Sequence, residues 1–162
     1  MGTYRIVRMG LTRFTVIRSA KGTVLVDTVP FVYRERFFHR LDRLRLSPSE
    51  IVAILLTHHH EDHTGMVASL LETNPMIRLI FHTGEEKALL SGKNQQAAYT
   101  NQKIEDFSKK ANLRATFTPL PRRPQDLVVE ATESPILRDF GIDATLLHTP
   151  RAYLRIPKRF IR

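Results

Sequence analysis

Four histidines and two acidic residues are concentrated between positions 58 and 63 of this 162-residue chain. They lie in the stretch Thr-His-His-His-Glu-Asp-His-Thr-Gly (57–65), which directly follows an apolar run over 51–56. A short run of β-branched residues and leucine that ends in polar residues is typical of a buried strand. Because α/β sheets usually place their functional residues at the carboxyl ends of strands, we expect the polar cluster to form a functional site.

The spacing of these side chains suits a metal ion. His58 and His60 are two residues apart, so in extended backbone they project to the same side. Asp62 continues that register, and His63 follows at the turn into a predicted helix. Neutral imidazole and carboxylate together favour Zn²⁺, with Fe or Mn as alternatives. The plainer interpretation, a solvated polar loop with a chance run of histidines, fits poorly because a buried strand leads into the cluster.

The segment 57–65 resembles the Thr-His-x-His-x-Asp-His signature of the metallo-β-lactamase-fold hydrolases in residue type and in spacing. The resemblance implies that His58 and His60 belong to a first metal site. It implies that Asp62 and His63 belong to a second site, and that intact relatives hold two zinc ions. Asp62 is also implied to be the catalytic residue that orients the attacking water.

Four further polar residues lie within the cluster or elsewhere in the chain at the ends of predicted strands. Asp27 ends the second strand of a predicted hairpin. In the resembled family the acid at that position supports the metal site from behind its ligands. An acid that caps the turn after the strand is an equally good interpretation, and both stand. His59 and Glu61 occupy variable positions of the signature and are not expected to be ligands, and His82, at the end of another predicted strand, is interpreted as structural.

The rest of the chain predicts a mixture of strands and helices around the cluster. Apolar periodicity indicates strands and helices that alternate along the chain, with the strand after the cluster parallel to the strand before it. The predicted elements are a hairpin over 14–17 and 23–26, a helix over 31–46, strands over 51–56 and 77–81 joined by a helix from about Thr64, a polar helix over 95–111, short strands over 113–117 and 127–129, and a hairpin over 136–147.

The C-terminal region departs from the resembled family. His148-Thr149-Pro150 resembles the start of a His-Thr-Pro-Gly-His motif, whose second histidine is the third ligand of the first site. Arg151 and Ala152 stand where Gly-His belongs, so His148 is not that ligand. Degenerate codons for this stretch permit Pro-Gly-His after deletion of one base. We therefore hypothesise that the chain is truncated or frameshifted at this motif, and sequencing across these codons tests the hypothesis.

These observations predict an α+β fold. The resemblance implies a metallo-β-lactamase-like αββα sandwich in which only the N-terminal half is present and the second half is missing. We expect a partial metallo-β-lactamase-like domain over 1–150, followed by an aberrant basic tail over 151–162. No internal repeat, low-complexity stretch or interdomain linker interrupts residues 1–150.

The resemblance also implies a reaction. Intact relatives use a metal-bound hydroxide to attack an ester, thioester, lactone or phosphodiester. Because the third histidine of the first site cannot be assigned, we expect this chain to be weakly active or inactive. A non-catalytic metal-binding remnant or interaction module is one alternative, and an RNA-processing nuclease is another.

Composition bounds the partners. The net charge is +9, but five cationic residues and no acid fall within 151–162. Without them the chain has 20 basic and 16 acidic side chains, or +4, which argues against nucleic acid and leaves a small-molecule substrate as the expected partner. The absence of cysteine is compatible with a cytoplasmic protein. No apolar run reaches the length of a membrane span, and the sequence does not encode an evident oligomeric state.

Overall fold

One six-stranded sheet organises the part of the chain that the structure, a computed structural model, describes: residues 3–94, 106, 109–110 and 114–147, with backbone alone at 153–155. Neighbouring strands follow chain order across the sheet. The strands are β1 (Thr3–Met9), β2 (Thr12–Ser19), β3 (Gly22–Val26), β4 (Ile51–Leu55), β5 (Arg78–His82) and β6 (Leu127–Val129).

The direction of these strands determines where the polar cluster lies. Strands β1, β2 and β3 are antiparallel, whereas β3, β4, β5 and β6 run parallel to one another. Val26 pairs with Leu55, and Leu55 pairs with Ile80. The segments that follow β3, β4 and β5 therefore emerge at the same end of the sheet, which is the carboxyl end of its parallel strands. The predicted first hairpin, the predicted buried strand before the cluster and its parallel neighbour are all confirmed.

In the ranges that the structure describes, short α-helices and 3-10 turns connect the strands. The predicted helix over 31–46 begins as a 3-10 turn, Phe31–Tyr33, and its α-helical part ends at Arg43 because Arg45 adopts a positive φ of 51°. Ser47 begins the next turn through a reciprocal capping pair with Glu50. The helices are α1 (Arg34–Arg43), α2 (Glu61–Thr64), α3 (Val67–Thr73) and α4 (Glu86–Ser91), and the other 3-10 turns are Pro48–Glu50, Thr83–Glu85 and Ile136–Phe140.

Apolar side chains cover both faces of the large sheet. On one face, Phe37 of α1 is fully buried, and its ring centroid lies 5.1 Å from that of Phe14 in β2. On the other face, Leu137 and Phe140 of the last 3-10 turn pack against strand residues such as Ala53. The parallel strands are buried on both faces, and this explains why the sequence of β4 is a continuous hydrophobic run.

A smaller three-stranded sheet consists of β7 (Glu133–Ser134), β8 (Thr145–Leu147) and β9 (Tyr153–Arg155). The predicted hairpin over 136–147 is wrong. Residues 136–140 instead form a 3-10 turn that buries two apolar side chains and ends at Gly141, whose φ is 72°. The predicted strand over 113–117 is wrong as well, because its described residues make only an isolated bridge between Thr116 and Lys93.

The layers confirm a mixed α+β fold built on a central sheet. Most of the predicted helix over 95–111 lies outside the described residues, and so do His148, the positions 151–152 of the altered motif and residues 156–162 of the tail. Within the described ranges, no helix combines the length and the apolar character that crossing a membrane requires.

Gly65 joins the polar cluster to α3 at a point where backbone segments are in close contact. A Cβ atom there is placed 2.5 Å from Phe31 N and 2.8 Å from the carbonyl oxygens of Glu61 and Val29. We expect Gly65→Ala to lower the free energy of unfolding by about 1 to 3 kcal/mol, as overpacking typically does. Urea unfolding measures the change. Gly84→Ala is the matched control, because its Cβ meets only a rotatable side chain, and an equal loss in both variants contradicts the prediction.

Candidate metal centre

The polar cluster forms a tight loop at the carboxyl ends of the parallel strands. Strand β4 is followed by Leu56, whose N–H donates to the carbonyl oxygen of Ile80 at 2.8 Å. Thr64 closes the loop, since its hydroxyl donates to the carbonyl oxygens of His59 at 3.2 Å and His60 at 3.0 Å. The histidines therefore lie where the sequence places them, between a buried strand and a helix.

Three of the four predicted ligands come together within this loop. One ligand atom each of His58, Asp62 and His63 lies within 4.8 Å of the others. The ring centroids of His58 and His63 are 4.0 Å apart. His60 lies beside this group rather than within it, with its ring centroid 4.7 Å from that of His58. A ligand role for His60 stays a prediction.

Asp27 lies behind the loop and contacts two of its residues. The carboxylate accepts hydrogen bonds from the Thr57 backbone N–H at 2.8 Å and from the Thr57 hydroxyl at 2.7 Å. Its Oδ2 also lies 2.9 Å from His63 Nδ1, as an ion pair whose angles fall outside those of a hydrogen bond. The contact with His63 agrees with the interpretation of Asp27 as support for a candidate ligand. The capping interpretation placed this acid on the turn after its own strand, whereas the hydrogen bonds of its carboxylate are to Thr57, after β4.

The hydroxyl of Thr57 links Asp27 to His58. A carboxylate can only accept hydrogen bonds, so the single hydroxyl proton of Thr57 is directed to Asp27. The hydroxyl oxygen, 3.0 Å from His58 Nδ1, must then accept a hydrogen bond from the N–H of that ring nitrogen. His58 is thereby held with hydrogen on Nδ1 and a free lone pair on Nε2, the form in which imidazole binds metal ions.

The local environment shifts the pKa values of the two candidate imidazole ligands in opposite directions. Burial and the neighbouring positive charges of His63 and His60 lower the pKa of His58 to about 4. Burial alone lowers the pKa of His63, but its contacts with Asp27 and Asp62 outweigh burial and raise that pKa to about 10. The raised pKa therefore corresponds to an imidazolium at His63 between the carboxylates of Asp27 and Asp62 in the metal-free chain.

The metal-free chain is expected to be most stable near pH 6.5. Unfolded His63 loses its proton near pH 6.5 and folded His63 near pH 10, so its contribution is present below 6.5 and declines up to about 10. The slope is at most about 1.4 kcal/mol per pH unit for one proton. His58 acts in the opposite direction: folded, it resists protonation down to about pH 4, so stability also declines as the pH falls below 6.5.

Urea unfolding in the presence of a chelator, from about pH 5 to about pH 9, measures the decline of stability below pH 6.5, the acid limb, and above it, the alkaline limb. His63→Gln removes the titrating group and is expected to flatten the alkaline limb. An alkaline limb that has the same slope in the wild type and in His63→Gln contradicts the assignment.

Glu61 is a structural anchor that sequence reasoning left without a role. Its side chain is 1% exposed, and Oε1 accepts a hydrogen bond from the backbone N–H of Phe31 at 2.8 Å. Its own N–H donates to Asn94 Oδ1 at 2.9 Å. Burial raises the pKa of this carboxyl above its usual range. Glu61 thus ties the loop to the segment before α1, and its exclusion from the ligands stays a prediction.

Glu85 is a second residue that the sequence did not single out. It lies at the end of the turn after β5 and accepts hydrogen bonds from both the backbone and the ring of His59. Burial opposes ionisation of Glu85, but the hydrogen bonds from His59 outweigh it and hold the pKa below its usual range. His82 accepts a hydrogen bond from Gly84 N–H at 3.1 Å, a local structural role for that histidine.

The donor set of the group fits a divalent metal ion. Two imidazoles and one carboxylate are the kind of three-ligand set that a catalytic zinc site uses, with a fourth position left open. Tetrahedral bonds of about 2.1 Å place neighbouring ligand atoms about 3.4 Å apart. The separations here are all within 4.8 Å, so the ligand atoms must move closer together to reach that geometry. Binding also requires the proton on His63 to leave.

The α+β fold thus carries two imidazoles and a carboxylate on one loop between a parallel strand and a helix, the arrangement of a candidate metal site. Residues 8–152 match the family model described as the metallo-beta-lactamase superfamily. The chain therefore belongs to the metallo-β-lactamase superfamily, and the resemblance of its histidine motif is confirmed.

Solved structures support the same fold. The subclass B3 metallo-β-lactamase of Bradyrhizobium japonicum aligns with a TM-score of 0.66 and 18% identity, over 94% of this chain and 52% of that chain. The native metallo-β-lactamase of Legionella gormanii aligns with a TM-score of 0.62 and 15% identity, over 81% of this chain and 45% of that chain. This chain thus spans about half the length of these relatives and contains about half of their fold.

Among curated proteins, the chain is similar to the hydroxyacylglutathione hydrolase of Aeromonas salmonicida strain A449. The two are 54% identical over 39 residues, which is 24% of this chain and 15% of the relative. This local similarity concerns a much longer protein, so the activity named for that relative informs only the proposal below.

Proposed function

We propose that the chain provides the metal-binding part of a metal-dependent hydrolase whose substrate is a small-molecule ester or thioester. The grouping of His58, Asp62 and His63 at the end of β4 is the observation that carries the proposal. The similarity to a hydroxyacylglutathione hydrolase favours a thioester. Zinc is the proposed metal because of the donor set, with Fe or Mn as alternatives. We place the protein in the cytoplasm, which its lack of cysteine permits.

The residues of the group have distinct proposed roles. A bound divalent cation supplies Lewis acidity and lowers the pKa of a coordinated water to near 7. Asp62 is a carboxylate at neutral pH, because contact with His63 outweighs burial and lowers its pKa. Asp62 can therefore accept a hydrogen bond from the attacking water and orient it. His58 presents Nε2 as a ligand, in the tautomer that Thr57 fixes.

The proposal is tested by release of thiol from a 2-hydroxyacyl thioester of glutathione, with the zinc-loaded full chain. Asp62→Asn preserves the shape of the side chain and removes its charge, so we expect kcat to fall by about 10² or more. His39→Ala, a change of an exposed histidine on α1, is the control and leaves kcat unchanged. Turnover that is equal in the wild type and in Asp62→Asn contradicts the role of Asp62.

A non-catalytic metal-binding module is the second candidate. The observation that favours it is the Arg151-Ala152 pair where the resembled motif supplies a third histidine. This module is expected to retain zinc in a defined ratio without turnover of esters, thioesters, lactones or phosphodiesters. Measured thioester turnover that depends on Asp62 rejects the non-catalytic candidate.

A further inference from the structure

We propose that Glu85 is a positioning residue that clamps His59 and thereby fixes the spacing of the flanking imidazoles, the candidate metal ligand His58 and its neighbour His60. The clamp deepens the proposed function, since it rests on the same loop binding a metal ion. Its existence in the metal-free chain is an independent claim with its own test.

The clamp consists of two hydrogen bonds to one carboxylate oxygen. Glu85 Oε2 accepts the backbone N–H of His59 at 2.9 Å and the ring Nδ1–H of the same residue at 2.6 Å. Both side chains are largely buried, with 14% of His59 and 18% of Glu85 exposed. Charge-assisted hydrogen bonds of this length in a partly buried site are about twice as strong as neutral ones.

The ring of His59 depends on this contact. Its other nitrogen, Nε2, is buried and has no hydrogen-bond partner among the described residues. Glu85 is therefore the polar group that determines the orientation of the ring and, through the N–H, the backbone at position 59. Loss of the carboxylate leaves a buried imidazole with neither nitrogen paired, which is costly.

The fold delivers Glu85 to this position through strand pairing. Strands β4 and β5 are parallel neighbours, with Leu55 opposite Ile80, so the chain after β5 emerges beside the loop after β4. His82 then caps the turn Thr83–Glu85 through the N–H of Gly84. This turn places the side chain of Glu85 against a residue 26 positions earlier in the chain.

Fixing His59 fixes its neighbours, because it lies between two imidazoles that contact one another. The ring centroids of His59 and His60 are 4.8 Å apart, and those of His58 and His60 are 4.7 Å apart. Rotation of the backbone at position 59 changes the separation of these flanking rings. Groups that orient metal ligands from behind typically change metal affinity by about 10- to 100-fold when removed.

Three variants of the full chain test the clamp. Glu85→Ala removes both hydrogen bonds, whereas Glu85→Gln keeps an amide oxygen that can accept them without the charge. Glu86→Gln is the matched control: this neighbour is more exposed and makes only a loose 3.7 Å ion pair with Arg122. The readouts are amide hydrogen exchange at His59 in the metal-free protein, and the affinity and visible spectrum of bound Co²⁺.

We expect Glu85→Ala to abolish exchange protection at His59 and to weaken Co²⁺ binding about 10- to 100-fold with an altered spectrum. Glu85→Gln is expected to restore most of the protection and part of the affinity, and Glu86→Gln to match the wild type. Unchanged His59 protection in Glu85→Ala overturns the clamp, and so does unchanged Co²⁺ affinity where the wild type binds the ion. A wild type that binds no Co²⁺ refutes the proposed function, while the exchange data still decide whether the clamp exists.

Discussion

Asp27→Ala is expected to reduce the free energy of unfolding of the metal-free chain by about 3 kcal/mol or more. Asp27 is 6% exposed, and its removal leaves the partly buried His63 with only the longer 3.4 Å contact to Asp62 and deprives Thr57 of the carboxylate to which it donates. Breaking a buried ion pair from one side typically costs about 3 to 5 kcal/mol. Alanine also adopts the φ of 59° at this position poorly. Urea unfolding at pH 7 with a chelator measures the loss.

Two further variants separate the causes. Asp27→Asn tolerates the positive φ but removes the charge, so we expect a smaller loss than for alanine. Asp126→Ala removes a different buried carboxylate, one that binds Arg123 at 2.6 Å and the N–H of Leu79 at 2.9 Å, far along the chain from the loop. It should also destabilise the fold. Only the Asp27 variants should weaken zinc binding, and equal affinity losses in Asp126→Ala and Asp27→Ala contradict the assigned role of Asp27.

Zinc is expected to stabilise the folded chain by about 2.7 kcal/mol at a free concentration one hundred times its Kd. Folding holds one ligand atom from each of the three residues within 4.8 Å of the others, so the metal ion binds the native state in preference to the unfolded state. For a chain of this size the gain corresponds to a rise in Tm of about 5 to 10 °C. Thermal unfolding with zinc and then with excess chelator measures the effect and its reversal.

His58→Ala should remove this stabilisation, because it deletes the ligand that is neutral and ready to bind at pH 7. His39→Ala on the exposed side of α1 should retain it. An increment in Tm that is the same for the wild type and for His58→Ala contradicts a site that includes His58.

The strand–loop–helix unit around the histidines could be predicted from the sequence because each of its parts is local. An apolar run, a dense polar motif and a glycine follow one another within fifteen residues, 51–65. The arrangement of ligands was less accessible. Extended backbone at His58 and His60 predicts that these two imidazoles are paired. Helix α2 begins at Glu61, however, and the change from extended to helical backbone places the ring centroid of His63 4.0 Å from that of His58.

The residues that support the loop are distant in sequence, and this explains why their roles stayed open. Asp27 and Glu85 follow strands on either side of β4, and parallel pairing brings both to the same sheet edge. An acid just after a neighbouring strand was a usable signal, and it identified Asp27 as one of two alternatives. The same signal was present at Glu85, three residues after His82, but its pairing with a variable position of the motif could not be foreseen.

The wrong prediction of a hairpin over 136–147 has a physical cause. Alternating apolar residues over 136–147 favour strands, but Leu137 and Phe140 are buried against the large sheet by a 3-10 turn. Gly141 then reverses the chain with a φ of 72°. Tertiary burial therefore overrides local periodicity in this segment, whereas in β4 both favour the same structure.

The most direct test of the account is the metal content of the purified chain. After equilibration with zinc and removal of the excess, plasma mass spectrometry should find about one equivalent in the wild type, as a single three-ligand site predicts. His58→Ala and Asp62→Ala should retain almost none, and His39→Ala should match the wild type. Equal zinc in the wild type, His58→Ala and Asp62→Ala would contradict a metal site formed by these residues.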